Sequence, residues 1–132
     1  MARSSPTVWV TSWGGETQAS VTIPGEPIST IRLDSAAWRA WLEAPSTVSF
    51  SYPIYDDQVG YIRGWMTVRK ERRERGAHYW VAYRRTSSRV RKIYLGRTSR
   101  ITLQQLAASA ARFLTMEGST ASEAVGQMEE RR

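Results

Sequence analysis

The chain has no cysteine, one histidine and two phenylalanines in 132 residues. Without cysteine there is no disulfide, no thiolate metal ligand and no thiol nucleophile, and the composition is compatible with a reducing compartment. His78 stands alone, so a histidine-based metal site or catalytic triad lacks partners and a structural or solvent-facing imidazole is expected. No apolar run approaches the roughly 18 residues of a membrane-spanning helix, and Met1 to Pro6 is not followed by the apolar stretch of a secretion signal. A cytoplasmic location without membrane contact is expected. G-x-S-x-G, P-loop, H-E-x-x-H and zinc-ligand spacings are missing, so neither an enzyme nor a cofactor is expected. A metal-dependent nuclease gathers carboxylates, and only Asp56, Asp57 and Glu71 lie near the basic region. Asp56 and Asp57 are adjacent in an extended segment, where side chains point apart, and read as part of a solvated loop.

Arginine and aromatic residues are plentiful. Lys and Arg outnumber Asp and Glu by 19 to 12, a net charge of +7. Thirteen of the basic residues fall between Tyr61 and Arg100, against Glu71 and Glu74 alone, so this segment carries +11 and the rest of the chain -4. A concentrated patch of this kind attracts polyanions. Six Trp and six Tyr, 41% apolar residues and a mean hydropathy of -0.47 describe a folded, water-soluble domain.

Alternation of Val8, Val10 and Trp13 with polar residues, the Gly14-Gly15 turn and the run Ala19 to Ile23 predict a β-hairpin. Asp34 is a candidate N-cap for a short helix through Ala36 to Leu42 that ends before Pro45, with Trp38, Trp41 and Leu42 on one face as core rather than as a ligand cage. Val48 to Tyr52 alternates again, and Pro53 to Gly60 reads as a loop. Three strands follow, Trp65 to Glu71, His78 to Arg85 and Val90 to Leu95, joined by short turns that imply an antiparallel meander. Thr102 caps a helix whose apolar stripe is Leu103, Leu106, Ala107, Ala110, Phe113 and Leu114. The expected organisation is an N-terminal extension over residues 1–59, a sheet-helix domain over 60–115 and a flexible or weakly helical tail over 116–132. The fold class is α+β: a three-stranded antiparallel sheet backed by a C-terminal helix, with an N-terminal hairpin and short helix.

Side chains alternate across a strand, so each strand divides into a core set and an outward set. Taking the more apolar parity as core assigns Met66, Val68, Tyr79, Val81, Tyr83, Ile93 and Leu95 to the helix side. The outward set is then Thr67, Arg69, Glu71, Trp80, Ala82, Arg84, Val90, Lys92 and Tyr94, flanked by Arg72, Arg73, Arg75, Arg85, Arg89 and Arg91. Arginine bridges guanine acceptors or clamps phosphates, and aromatic rings pack on sugars and thymine methyl groups.

The pieces Trp38-x-x-Trp41-Leu42, Arg69-Lys70-Glu71, Arg75-Gly76, Tyr79-Trp80-x-Ala82-Tyr83-Arg84, Tyr94-Leu95-Gly96 and Ile101-Thr102-Leu103 resemble, in order and spacing, a segment near the N-termini of LuxR-type regulators of actinobacteria and Chloroflexota. The nucleotide-binding loop and helix-turn-helix of such regulators have no counterpart here, so the chain reads as a free-standing relative or a fragment. More loosely, Val68-Arg69, Trp80 to Arg84 and Tyr94-Leu95-Gly96 resemble the AP2-like domains of plant transcription factors and recombinase arm-binding domains, which lay a three-stranded sheet in the major groove. That resemblance implies DNA contacts at Arg69, Trp80, Ala82, Arg84, Lys92 and Tyr94, although Ala82 stands where a polar residue is usual.

Together these readings predict binding of double-stranded DNA in transcriptional regulation, near the nucleoid and without a small-molecule ligand. Arg72, Arg73, Arg75, Arg89 and Arg91 are expected on phosphates. Thr67, Arg69, Trp80, Arg84, Lys92 and Tyr94 are expected toward bases or sugars. The alternatives are a protein-interaction module of a larger regulator and an RNA-binding module that stacks bases on the sheet.

Overall fold

The computed structural model describes the backbone of residues 5–13, 15–72 and 76–130 and the side chains of 5–12, 15–72 and 76–117. The order of elements is β1 (Thr7–Trp13), β2 (Glu16–Ile23), β3 (Ser29–Arg32), α1 (Ala36–Glu43), β4 (Ser49–Asp56), β5 (Tyr61–Arg72), β6 (His78–Arg85), β7 (Val90–Gly96), a 3₁₀ turn at Thr98–Arg100, and α2 (Leu103–Glu130). The class is α+β. Among the described residues the strands form one sheet in the order β3-β2-β1-β4-β5-β6-β7, antiparallel throughout except where β1 meets β4.

The expected three-stranded meander is thus the edge of a wider sheet. β4 pairs with β5 from Ser49↔Arg69 to Asp56↔Tyr61, so the anticipated boundary near residue 60 falls inside a continuous hydrogen-bonded surface. The first half of the anticipated loop, Pro53 to Asp56, is strand, because Tyr52 and Ile54 continue the buried parity that Phe50 begins, and Asp57 to Gly60 form the turn.

Helix α1 is capped by Ser35, whose Oγ accepts from the Trp38 amide at 3.1 Å. Asp34, the expected cap, instead adopts φ 64° and accepts from the Leu103 amide at 3.0 Å, so it satisfies an orphan donor at the start of α2. The Thr102 hydroxyl accepts from the Gln105 amide at 3.2 Å, as the capping pattern predicts. Helix α2 continues past Met116 to Glu130, so of the two expected states of this segment, flexible or weakly helical, it is helical; Ala, Glu, Gln and Met favour helix enough to carry it through Gly118 and Gly126.

One face of the sheet carries the core. Trp38, Phe50 and Trp80 meet at ring separations of 5.4 and 5.7 Å, and Trp41 stacks on Trp38 at 5.5 Å. Leu106, Ala110 and Phe113 of α2 cover them. Each fully buried large side chain contributes roughly 1.5–3 kcal/mol of transfer free energy. The Trp38 indole N–H donates to the Ile101 carbonyl at 2.7 Å, so its polar edge is not left unpaired.

Candidate nucleic-acid interface

Register decides which side chains of the meander face water. Val68 pairs with Ala82 and Ala82 with Ile93, while Lys70 and Gly96 flank Trp80. Trp80 and Ala82 therefore join Met66, Val68, Ile93 and Leu95 in the core, each buried. This corrects the face assigned to β6: Trp80 is a core residue, not a surface one. A register shift beside Trp80 leaves Leu95 as an extra residue and sets side-chain-free Gly96 across from the indole, so both Leu95 and Trp80 enter the core. The indole N–H is satisfied by the Thr98 hydroxyl at 3.2 Å.

Arg84 follows the same parity and is corrected with it. Its guanidinium points to the helix side, donates to the Trp65 carbonyl at 3.3 Å and pairs with Glu117 of α2 at 3.3 Å. Gly64 makes room for it: a Cβ there would lie 2.6 Å from the guanidinium nitrogens.

The opposite face is formed by Thr67, Arg69 and Glu71 of β5, Tyr79, Val81, Tyr83 and Arg85 of β6, and Val90, Lys92 and Tyr94 of β7. Both helices pack on the other side, and Thr67, Arg69, Arg85, Lys92 and Tyr94 are exposed. Val81 is buried yet stands apart from the main core; its cross-strand partners Arg69 and Tyr94 and its neighbours Tyr79 and Tyr83 surround it. The Tyr79 and Tyr94 rings lie 6.0 Å apart at 31°. Arg69 lies 5.8 Å from the Tyr83 ring centre and Lys92 Nζ 5.4 Å from that of Tyr94. The face is an aromatic plate with cations laid on it, tempered by Glu71, which accepts from the Tyr83 hydroxyl.

Of the expected contact residues, Thr67, Arg69, Lys92 and Tyr94 share this face. Arg72 ends β5 on the parity of Lys70, Arg89 lies in the exposed turn before β7, and Arg91 is half-buried on the parity of Ile93. Arg73 and Arg75 lie outside the described residues. Tyr79 and Tyr83 were assigned to the core, and Arg85, read as flanking the face, lies on it. The signal for the two tyrosines was present: tyrosine tolerates one wet edge, whereas tryptophan with alanine two residues on suits a crowded interior.

Lys70 sits on the core side, donating to the Ala44 carbonyl at 3.0 Å with its ammonium 5.4 Å from the Trp80 ring centre. Burial lowers its pKa, against the opposing pull of Glu43. Asp56 holds its own loop, accepting from the Gln58 amide at 2.9 Å and pairing with Arg63 at 3.1 Å. Among the described residues no three His, Asp or Glu side chains gather as a cation site, and no helix is long and apolar enough to cross a membrane.

No protein-family model, curated protein or solved structure matches the chain.

Proposed function

We propose that the outer face of β5, β6 and β7 binds nucleic acid, that the ligand is duplex DNA read in the major groove, and that the process served is transcriptional regulation. The observation that carries this reading is the interleaving of Tyr79, Tyr83 and Tyr94 with Arg69, Arg85 and Lys92 on one exposed face. A face selected only for contact with water has no need of three tyrosines among its cations. Three strands spaced about 4.8 Å apart span about 10 Å, which suits a major groove about 12 Å wide. The last pair between β4 and β5 is Ser49↔Arg69, so the part of the meander toward Arg72 and His78 reaches beyond β4 and meets the groove without it. Strand twist of about 20–25° per step turns the remaining sheet away. In this arrangement Arg69, Arg85 and Lys92 contact bases or phosphates, Arg72 at the exposed strand end and Arg89 in the turn before β7 contact phosphates, and the tyrosine rings pack on sugars and methyl groups, while Arg91 faces the helix side and takes no part. AP2-like domains use a meander backed by one helix in the same way; here the meander is one margin of a larger sheet.

The test is fluorescence anisotropy with random duplex DNA at about 50 and about 200 mM salt, comparing wild type with Arg69→Ala/Lys92→Ala. With about five phosphates engaged, log affinity falls against log salt with a slope of about -4 to -5. Loss of that binding in the double variant supports the reading. A folded wild type that does not bind at the lower salt sinks it and favours an acidic protein partner. The three outward tyrosines also favour a second reading, base stacking on single strands. Single-stranded RNA that displaces duplex DNA at equal concentration would establish that reading instead.

A further inference from the structure

We propose that the cleft between the β1–β2 and β4–β5 hairpins is a binding site for a hydrophobic organic cation, separate from the nucleic-acid face. β1 and β4 run parallel, yet their register pairing is limited to Thr7↔Ser51, although the strands continue to Trp13 and Asp56. A cleft of 1310 Å³ lies between the two hairpins, lined on the α2 side by Ala107, Ala110, Ala111 and Leu114. The small alanine side chains are what leave this volume unfilled.

Its walls are unusually apolar for an exposed surface. Trp9, Val10, Tyr55, Tyr61 and Ile62 line the cleft, and all five are among the ten exposed large hydrophobic residues of the described chain. Scattered exposed apolar residues are ordinary, but a group gathered around one concavity marks a binding site. Trp9 is held in place by an edge-to-face contact with Trp65 at 5.5 Å.

Charge selects the ligand class. In a protein of net charge +7, this cleft is lined by Asp56, Asp57 and Glu117; Arg63 pairs with Asp56 and Arg84 with Glu117, so the Asp57 carboxylate sets the sign of the local charge. Tryptophan and tyrosine rings present negative faces to a cation, and the Asp57 carboxylate adds to that field. An apolar body carrying a diffuse positive charge satisfies both the aromatic walls and the acidic lining, whereas an anion of the same shape satisfies only the first.

The experiment is titration calorimetry with tetraphenylphosphonium and with tetraphenylborate, which share a shape and differ in the sign of charge. The full chain is expected to bind the phosphonium one to one and the borate about tenfold more weakly in this cleft. Ala111→Trp, an exposed position on α2 that lines the cleft, is expected to weaken the phosphonium about tenfold by filling it. Asp57→Lys, in an exposed loop, is expected to weaken it severalfold and serves if the tryptophan variant does not fold. Absence of saturable phosphonium binding, equal or tighter borate binding, or indifference to both variants overturns the proposal. Displacement of the phosphonium by an alternating Lys-Val peptide at lower concentration also overturns it, in favour of an extended peptide strand.

Discussion

The Tyr83 hydroxyl donates to the Glu71 carboxylate on the outer face of the sheet, and the Arg69 guanidinium lies over the same tyrosine ring. The hydrogen bond to Glu71 raises the Tyr83 pKa above its ordinary value, with burial and the Glu71 charge acting in the same direction and Arg69 opposing them. Glu71→Gln is expected to bring the phenol back toward its ordinary range, which a spectrophotometric titration reads directly. The same change removes a negative charge from the face that carries Arg69, and duplex DNA affinity is expected to rise about threefold or more at low salt. A variant with unchanged affinity would place Arg69 outside the binding surface.

Burial of Tyr52 ties stability to alkaline pH. Burial, with a lesser contribution from Asp34, pushes its phenol up to about 12. The folded value exceeds the unfolded value of about 10, so the associated stability is complete below about pH 10 and is lost as pH rises toward about 12. A two-unit difference corresponds to on the order of 2 to 3 kcal/mol. Urea unfolding at about pH 9 and about pH 11.5 is expected to show a loss of stability that is smaller in Tyr52→Phe. An equal loss in the two proteins would assign the alkaline transition to other groups.

Arg84 and Arg69 are expected to respond oppositely to alanine. Arg84→Ala breaks a largely buried ion pair with Glu117 and is expected to cost about 1–3 kcal/mol of stability with little effect on nucleic-acid affinity. Arg69→Ala is expected to leave stability within about 0.5 kcal/mol and to weaken binding. Chemical unfolding and anisotropy on the two single variants separate these roles, and loss of binding in a stable, folded Arg84→Ala protein would reverse them.

Trp80 and Tyr94 form a second contrasting pair. Trp80→Ala empties the centre of the core beside Phe50 and is expected to cost about 3–5 kcal/mol, enough to unfold a small domain. Tyr94 is 62% exposed, so its alanine variant is expected to fold normally. Thermal unfolding monitored by circular dichroism gives both answers.

Local patterns were readable where one parity or one face was plainly apolar. The hairpin at Val8 to Ile23, the helix carrying Trp38 and Leu42, and the stripe of Leu106, Ala110 and Phe113 all follow from periodicity alone. β6 was not, because Tyr79, Val81 and Tyr83 make one parity richer in apolar residues while Trp80 and Ala82 make the other a better fit between Val68, Ile93 and Gly96. Cross-strand register settles that competition, and register is a property of the paired strands. The width of the sheet was hidden for a related reason. Pro53 and the acidic Asp56-Asp57 pair look like a loop in one dimension, yet Ile54 and Tyr52 need the core and draw the backbone into the sheet. Asp34 was recognised as a capping residue and assigned to the wrong helix, since its partner is remote in sequence. At the proposed interface Thr67, Arg69, Lys92 and Tyr94 were placed correctly on the outer face and Arg85 beside it, while Tyr79 and Tyr83 emerged only with the register of β6.

The bonds from Leu103 to Asp34 and from Trp38 to Ile101 span 69 and 63 residues of sequence. Closing loops of that length costs about 4 kcal/mol of chain entropy before the contacts return anything, which places them among the slow, non-local events of folding. A chain emerging from the ribosome therefore presents Trp38 and Phe50 to solvent until the residues from Ile101 to Phe113 have been synthesised to shield them. Translation that stops short of α2 leaves a sticky, half-covered sheet, so the second helix is what makes the nascent polypeptide safe to release.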